Sequence, residues 1–158
     1  ILLSLVGSEM CIRDSIVFFG SDVENKNYIF MKNVLSKLPN KKEVTVINPP
    51  KDMKSFNIVN TETHDETLKV LSNNEIYFHA SEHETVGLPL YEAQNLGLKV
   101  VAPISSYTQY FSPESIFLYN INDPDDALKK INDAKSSSIE TIDTLNYSEN
   151  WKIVLNNI

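Results

Sequence analysis

Residues 76–102 read IYFHASEHETVGLPLYEAQNLGLKVVA, and their order decides the fold. Ile76-Tyr77-Phe78-His79 is a short run of the kind covered on both faces of a parallel sheet. A polar loop leads from Ala80 to Gly87. Leu88 to Leu96 then reads as a helix, with Pro89 suited to its first turn and Gly97 to its C-terminal end. Lys99-Val100-Val101-Ala102 is the next strand. Strand, loop, helix and strand in this order make a βαβ unit, which lays its two strands parallel.

The same alternation continues outward. Ile16-Val17-Phe18-Phe19 is an apolar run ending at Gly20. Tyr28 to Leu38 carries apolar residues at helical spacing and stops at Pro39-Asn40. Val44-Thr45-Val46-Ile47 and the weaker Phe56 to Val59 are strands, and Ile116 to Tyr119 is a sixth. Thr63-His64-Asp65-Glu66 is a capping box opening a helix that runs to about Ser72. Asp123-Pro124-Asp125-Asp126 opens another, with Asp123 as cap and carboxylates at the positive end. Trp151 to Ile158 reads as a closing helix, and residues 135–138 as a loose connection. The expected fold is α/β: a Rossmann-like doubly wound parallel sheet of about six strands, with helices on both faces.

Length and charge narrow the function. The chain has 158 residues, which suits one domain able to bury its own core. Cys11 is the sole cysteine, so no disulfide framework or thiolate metal site is available. Net charge is −7 and the lysines are scattered, which argues against a nucleic-acid partner. The three histidines lack metal-ligand spacing, so no metal is expected. Residues 1–15 are read as a non-native leader. The run Leu5 to Ser15, LVGSEMCIRDS, resembles a prefix met in translated sequencing reads. It lacks the basic start and small-residue cleavage site of a signal peptide. The domain proper is read as residues 16–158, with sequence expected upstream of it.

Open parallel sheets bind ligands at the carboxyl ends of their strands. There the loop after Phe78 passes through Gly87 into a helix start, so backbone N–H groups at Gly87, Leu88 and Leu90 are expected to face an anion. Pro89 has no N–H, and Gly87 lets a ligand approach the backbone closely. Glu84 and Glu92 flank the turn, with seven residues between them. Two carboxylates facing a phosphate would repel it. They make sense as acceptors for sugar hydroxyls on either side of it, the layout of a sugar nucleotide.

Here the sequence resembles the family 4 retaining glycosyltransferases of GT-B architecture. Their signature is two glutamates with seven residues between, usually near S-x-x-E-G-F-G-L-P-x-x-E-A. The matching residues are Ser81, Glu84, Gly87, Leu88, Pro89, Glu92 and Ala93, followed by Gly97 and Val100-Val101-Ala102. Gly20 and Lys26 match the family's first loop, Asp123-Pro124 its late helix, and Tyr147-Ser148-x-x-Trp151 its closing helix. The likeness covers about Ile16 to Ile158, the C-terminal, donor-binding domain alone. It implies that Glu84 contacts the donor sugar as the catalytic residue and that Glu92 holds the ribose. It implies that Lys26, with the amides of Gly87 and Leu88, binds the diphosphate. His83 is expected to line the sugar pocket, and Ser105-Ser106-Tyr107 to lie near it, with Tyr107, Tyr110 and Phe111 as packing residues.

The function so implied is transfer of a hexose from a UDP- or GDP-linked donor to a hydroxyl acceptor with retention of configuration. No cofactor is expected. The sugar or lipid-linked acceptor is expected on a missing N-terminal half, through which peripheral membrane association would also run. The expected setting is cytoplasmic, at the inner membrane surface, in polysaccharide biosynthesis. Departures from the family pattern are Ser21 in place of a frequent arginine and Thr85-Val86 in place of Gly-Phe. They feed the alternative reading, a non-catalytic nucleotide-sugar-binding or interaction domain. Other classes lack their marks. A dinucleotide enzyme wants G-x-G-x-x-G, and a receiver domain wants an acidic pair after the first strand.

Overall fold

The computed structural model of the chain describes residues 15–21, 23–50, 53–111 and 116–138. Six strands form one parallel sheet: β1 Ile16–Phe19, β2 Val44–Ile47, β3 Asn57–Val59, β4 Ile76–Phe78, β5 Lys99–Pro103 and β6 Ile116–Tyr119. Their order across the sheet is β3-β2-β1-β4-β5-β6. Among the described residues four α-helices accompany them: α1 Tyr28–Ser36, α2 His64–Ser72 and α3 Leu88–Asn95 between strands, and α4 Pro124–Ser136 after β6. The expected doubly wound α/β architecture is the observed one. The leader up to Arg13-Asp14 and the Trp151 helix lie outside the described residues.

Alternation along the strands builds a core on each face. Ile16, Phe18, Val44, Val46, Ile76, Phe78 and Val101 pack with Met31, Val34 and Leu35 of α1 and Ala127, Ile131 and Ala134 of α4. Val17, Ile47, Tyr77, Val100 and Ala102 pack on the other side with Leu71 of α2 and Leu90 and Ala93 of α3. Successive side chains of a strand point to opposite faces, so apolar runs are what a sheet covered on both sides requires. The edge strand β3 is three residues long and partly exposed, which limits pairing with other chains.

The caps follow the sequence. Thr63 and Glu66 form both halves of the capping box on α2. The Asp123 carboxylate accepts from the amides of Asp125 and Asp126 at the start of α4. One expectation fails: residues 135–138 do not begin as a loose connection. α4 runs through Ser136, and Lys135 reaches Glu43 at 3.4 Å, so its last turn is tied down.

The strand order sets the place of the site. From β1 the chain winds outward through β2 and β3, then returns to β4 on the other side of β1. Loops leaving β1 and β4 therefore lead to helices on opposite faces, and the carboxyl edge between these strands is where such sheets place a ligand crevice.

Candidate donor site at the β1–β4 crevice

The loop after β1 is shaped by close approach. The Gly20 amide donates to the Ile47 carbonyl at 2.7 Å. A β-carbon at Gly20 would lie 2.5 Å from the Pro49 α-carbon, so only glycine fits. The chain then makes a 3-10 turn, Glu24–Lys26, that ends at Asn27 with a left-handed φ of 51° and opens α1.

This turn is zipped to the loop after β4 residue by residue. The Glu82 amide donates to the Asn25 carbonyl at 2.8 Å. The Asn25 amide group donates to the His83 carbonyl at 3.2 Å, and that of Asn27 to the Glu82 carboxylate at 3.2 Å. Between them the Lys26 ammonium donates to the Glu84 carboxylate. Residues 58 apart in sequence thus share one wall of the crevice. Burial pushes the Glu84 carboxyl up, but hydrogen bonds from Lys26 and then Ser81 outweigh it and leave its pKa below the ordinary value.

Gly87 ends the β4 loop at φ 73°, a conformation that favours glycine, and caps α3. A β-carbon there would meet Leu90 Cδ1 at 2.7 Å. The amides of Gly87 and Leu88 have no partner among the described residues, as an anion site at a helix start needs. Leu90 does not share this role: its amide donates to the Gly87 carbonyl at 2.9 Å, closing the first turn.

Glu92 lies on α3, and the His64 ring at the start of α2 approaches it at 3.3 Å. Burial raises the Glu92 pKa, with His64 opposing the rise. His64, exposed at the start of α2, is thus beside the second glutamate. His83 is exposed, and its carbonyl is what the first loop grips. The histidine against Glu84 is His79, at the end of β4, with Nε2 at 3.6 Å from Glu84 Oε1. Its ring is buried, which pushes its pKa down to about 4. In the sequence it reads as the last residue of a strand, and its contact with Glu84 depends on how the loop returns.

Ser105 stabilises the turn after β5, where its amide donates to Thr108 Oγ1 at 3.0 Å. Tyr107 and Phe111 are buried packing residues, and the Tyr107 hydroxyl donates to the Ser81 carbonyl at 2.5 Å. Tyr110 is not one of them: it is 73% exposed.

Buried polar atoms lacking a partner are normally few. Among the described residues they are Asn25 Oδ1, Tyr28 Oη and His79 Nε2. All three belong to the β1–α1 connection or the end of β4. Among the described residues no cluster of His, Cys, Asp and Glu could hold a metal, and no helix is long and apolar enough to cross a membrane.

At the level of sequence, no family model and no curated protein matches the chain. Solved structures do match in shape. The catalytic domain of cholesterol-alpha-glucosyltransferase from Helicobacter pylori superposes with a TM-score of 0.63 at 18% identity, covering 92% of this chain and 99% of that one. WaaG, a glycosyltransferase involved in lipopolysaccharide biosynthesis, gives 0.63 at 16% identity over 93% of this chain and 44% of its own. A glycosyltransferase from Rickettsia africae gives 0.66 at 16%, over 90% and 43%. The chain spans less than half the length of the last two. Its six-stranded parallel sheet with flanking helices is thus the α/β fold of these glycosyltransferases.

Proposed function

We propose that residues 16–158 are the donor-binding half of a retaining glycosyltransferase that moves a hexose from a UDP- or GDP-linked donor to a hydroxyl acceptor. The observation that carries this reading is the Lys26–Glu84 pair at the switch point of the sheet, with Glu84 in the loop that leads to the Gly87 and Leu88 amides, which have no partner among the described residues. A cation and two amides at a helix start suit a diphosphate. Glu84, held ionised, is an acceptor for hexose hydroxyls, and Glu92 for the ribose. His83 would flank the hexose.

Retention needs no protein nucleophile in this scheme. The departing donor phosphate takes the acceptor proton, while Lys26 and the two amides stabilise the charge that develops on it. The acceptor would be bound by a further domain, which would also provide any association with a membrane surface. The 158-residue chain is therefore expected to bind donor without turning it over.

A thermal-shift titration with UDP, GDP and ADP and their sugar forms tests the reading. Ligand at ten times its Kd adds about 1.4 kcal/mol, or roughly 3 to 5 °C for a domain of this size. The expected result is a shift for one nucleotide that Glu92→Ala abolishes. The competing reading, a non-catalytic domain, draws on Ser21 and on the engagement of Lys26 by Glu84. It predicts no shift with any nucleotide at millimolar concentration.

A further inference from the structure

The His79 ring is held on every side but one. Its amide donates to the Val101 carbonyl at 2.8 Å, and its carbonyl accepts from the Tyr119 hydroxyl at 2.9 Å. Tyr77 lies tilted beside the ring and Tyr107 edge-on, at centroid distances of 5.7 and 5.9 Å. Nδ1 is 2.9 Å from the Tyr77 hydroxyl. The Tyr77 phenol, raised well above its ordinary pKa by burial, stays protonated and is able to donate to Nδ1. When Nδ1 accepts this bond, the proton of the neutral ring sits on Nε2. That Nε2 is buried, lacks a hydrogen-bond partner among the described residues, and faces Glu84 Oε1 just beyond bonding distance.

Glu84 therefore faces two donors of different kinds. Lys26 is charged, flexible and about one-third exposed, at 34%. His79 is neutral, fixed and buried. An anionic ligand entering the crevice competes with Glu84 for the ammonium, not for the ring.

We infer that His79 is a positioning residue for Glu84: its Nε2–H, oriented by Tyr77, takes over the carboxylate when phosphates draw Lys26 away. This rests on the donor-site reading above. The handover needs a closure of a few tenths of an ångström, and it gives a partner to a buried ring nitrogen that has none among the described residues. It keeps Glu84 aimed at the sugar while its former partner serves the diphosphate.

The test has a ligand-free arm and a ligand arm, both on the 158-residue chain. Long-range nitrogen–proton spectra of the His79 ring should show the Nε2–H tautomer, and Tyr77→Phe should mix the two tautomers. Affinity should then be compared for a nucleoside diphosphate and its sugar form. In His79→Leu the sugar form should bind about tenfold more weakly, with the free diphosphate unchanged. His79→Gln, whose amide nitrogen reaches the place of Nε2, should restore the sugar form to within about threefold of wild type. An Nδ1–H tautomer in the wild type, or an unaltered sugar contribution in a folded His79→Leu chain, would overturn the inference. A wild-type chain that binds no nucleotide overturns the parent reading, and the handover with it, whatever the tautomer.

Discussion

Two lysine–glutamate pairs sit at opposite edges of the sheet, and they differ in how completely they are satisfied. At the amino edge, Lys99 is buried and spends all three donors: on Glu75 at 3.0 Å, the Ala134 carbonyl at 2.9 Å and the Ser137 carbonyl at 2.7 Å. It ties the end of α4 to β5 and has nothing left to offer. At the carboxyl edge, Lys26 has Glu84 as its hydrogen-bond partner, and on the two loops and the helix starts there, atoms of Asn25, Tyr28 and His79 and the amides of Gly87 and Leu88 have no partner among the described residues. A saturated ion pair holds a fold together. An unsaturated one, at the switch point of a doubly wound sheet, is where the proposed donor site lies.

The contrast can be broken most forcefully at the amino edge. Lys99→Ala takes a buried cation from the Glu75 carboxylate and a donor from the Ala134 and Ser137 carbonyls, and should cost about 3 kcal/mol. In a thermal melt that is roughly 6 to 12 °C, with nucleotide binding at the other edge retained.

Acid should expose the strain of the carboxyl edge. The folded-state pKa of His79 lies at about 4, below its ordinary 6.5. Above pH 6.5 the ring is neutral in both folded and unfolded chains and contributes no slope. Below it the unfolded chain takes up a proton that the folded chain refuses, until the pH falls through 4. Urea melts at pH 7 and pH 5 should therefore differ by about 2 kcal/mol from this ring alone, and His79→Leu should flatten that part of the slope.

Lys26→Ala sharpens the contrast from the other side. Its partly exposed pair contributes under about 1 kcal/mol to stability, but the variant should lose nucleoside diphosphate by about tenfold or more in calorimetry. Gly87→Ala is the mildest change. Its β-carbon meets the movable end of Leu90, so the expected loss is about 1 kcal/mol in chemical denaturation, mainly from the positive φ.

How much of this could be read from the sequence also differs between regions. Strands such as Ile16–Phe19 and Val44–Ile47 are legible because burial on both faces forces continuous apolar runs. The caps at Thr63 and Asp123 are legible because capping is local. Of the site, Lys26, Glu84 and Gly87 could be named singly. That Lys26 reaches Glu84 follows from the zipped loops, which no local pattern encodes. That His79 and His83 lie near the site follows from their place after a strand. That the His79 ring meets Glu84 does not, because a histidine closing a strand gives no sign of which side chain will fold back over it. Leu90 was misread because the first turn of α3 uses its amide internally, a detail of cap geometry at Gly87.

The most direct measurement is a backbone amide NMR titration of the 158-residue chain with UDP and with GDP. The saturated and unsaturated edges predict that one nucleotide moves the resonances of Lys26, Glu84, Gly87, Leu88 and Glu92, and leaves Glu75, Lys99 and Ala134 where they are. Shifts centred on the amino edge, or none with either nucleotide at millimolar concentration, would contradict the assignment of the β1–β4 crevice as the donor site.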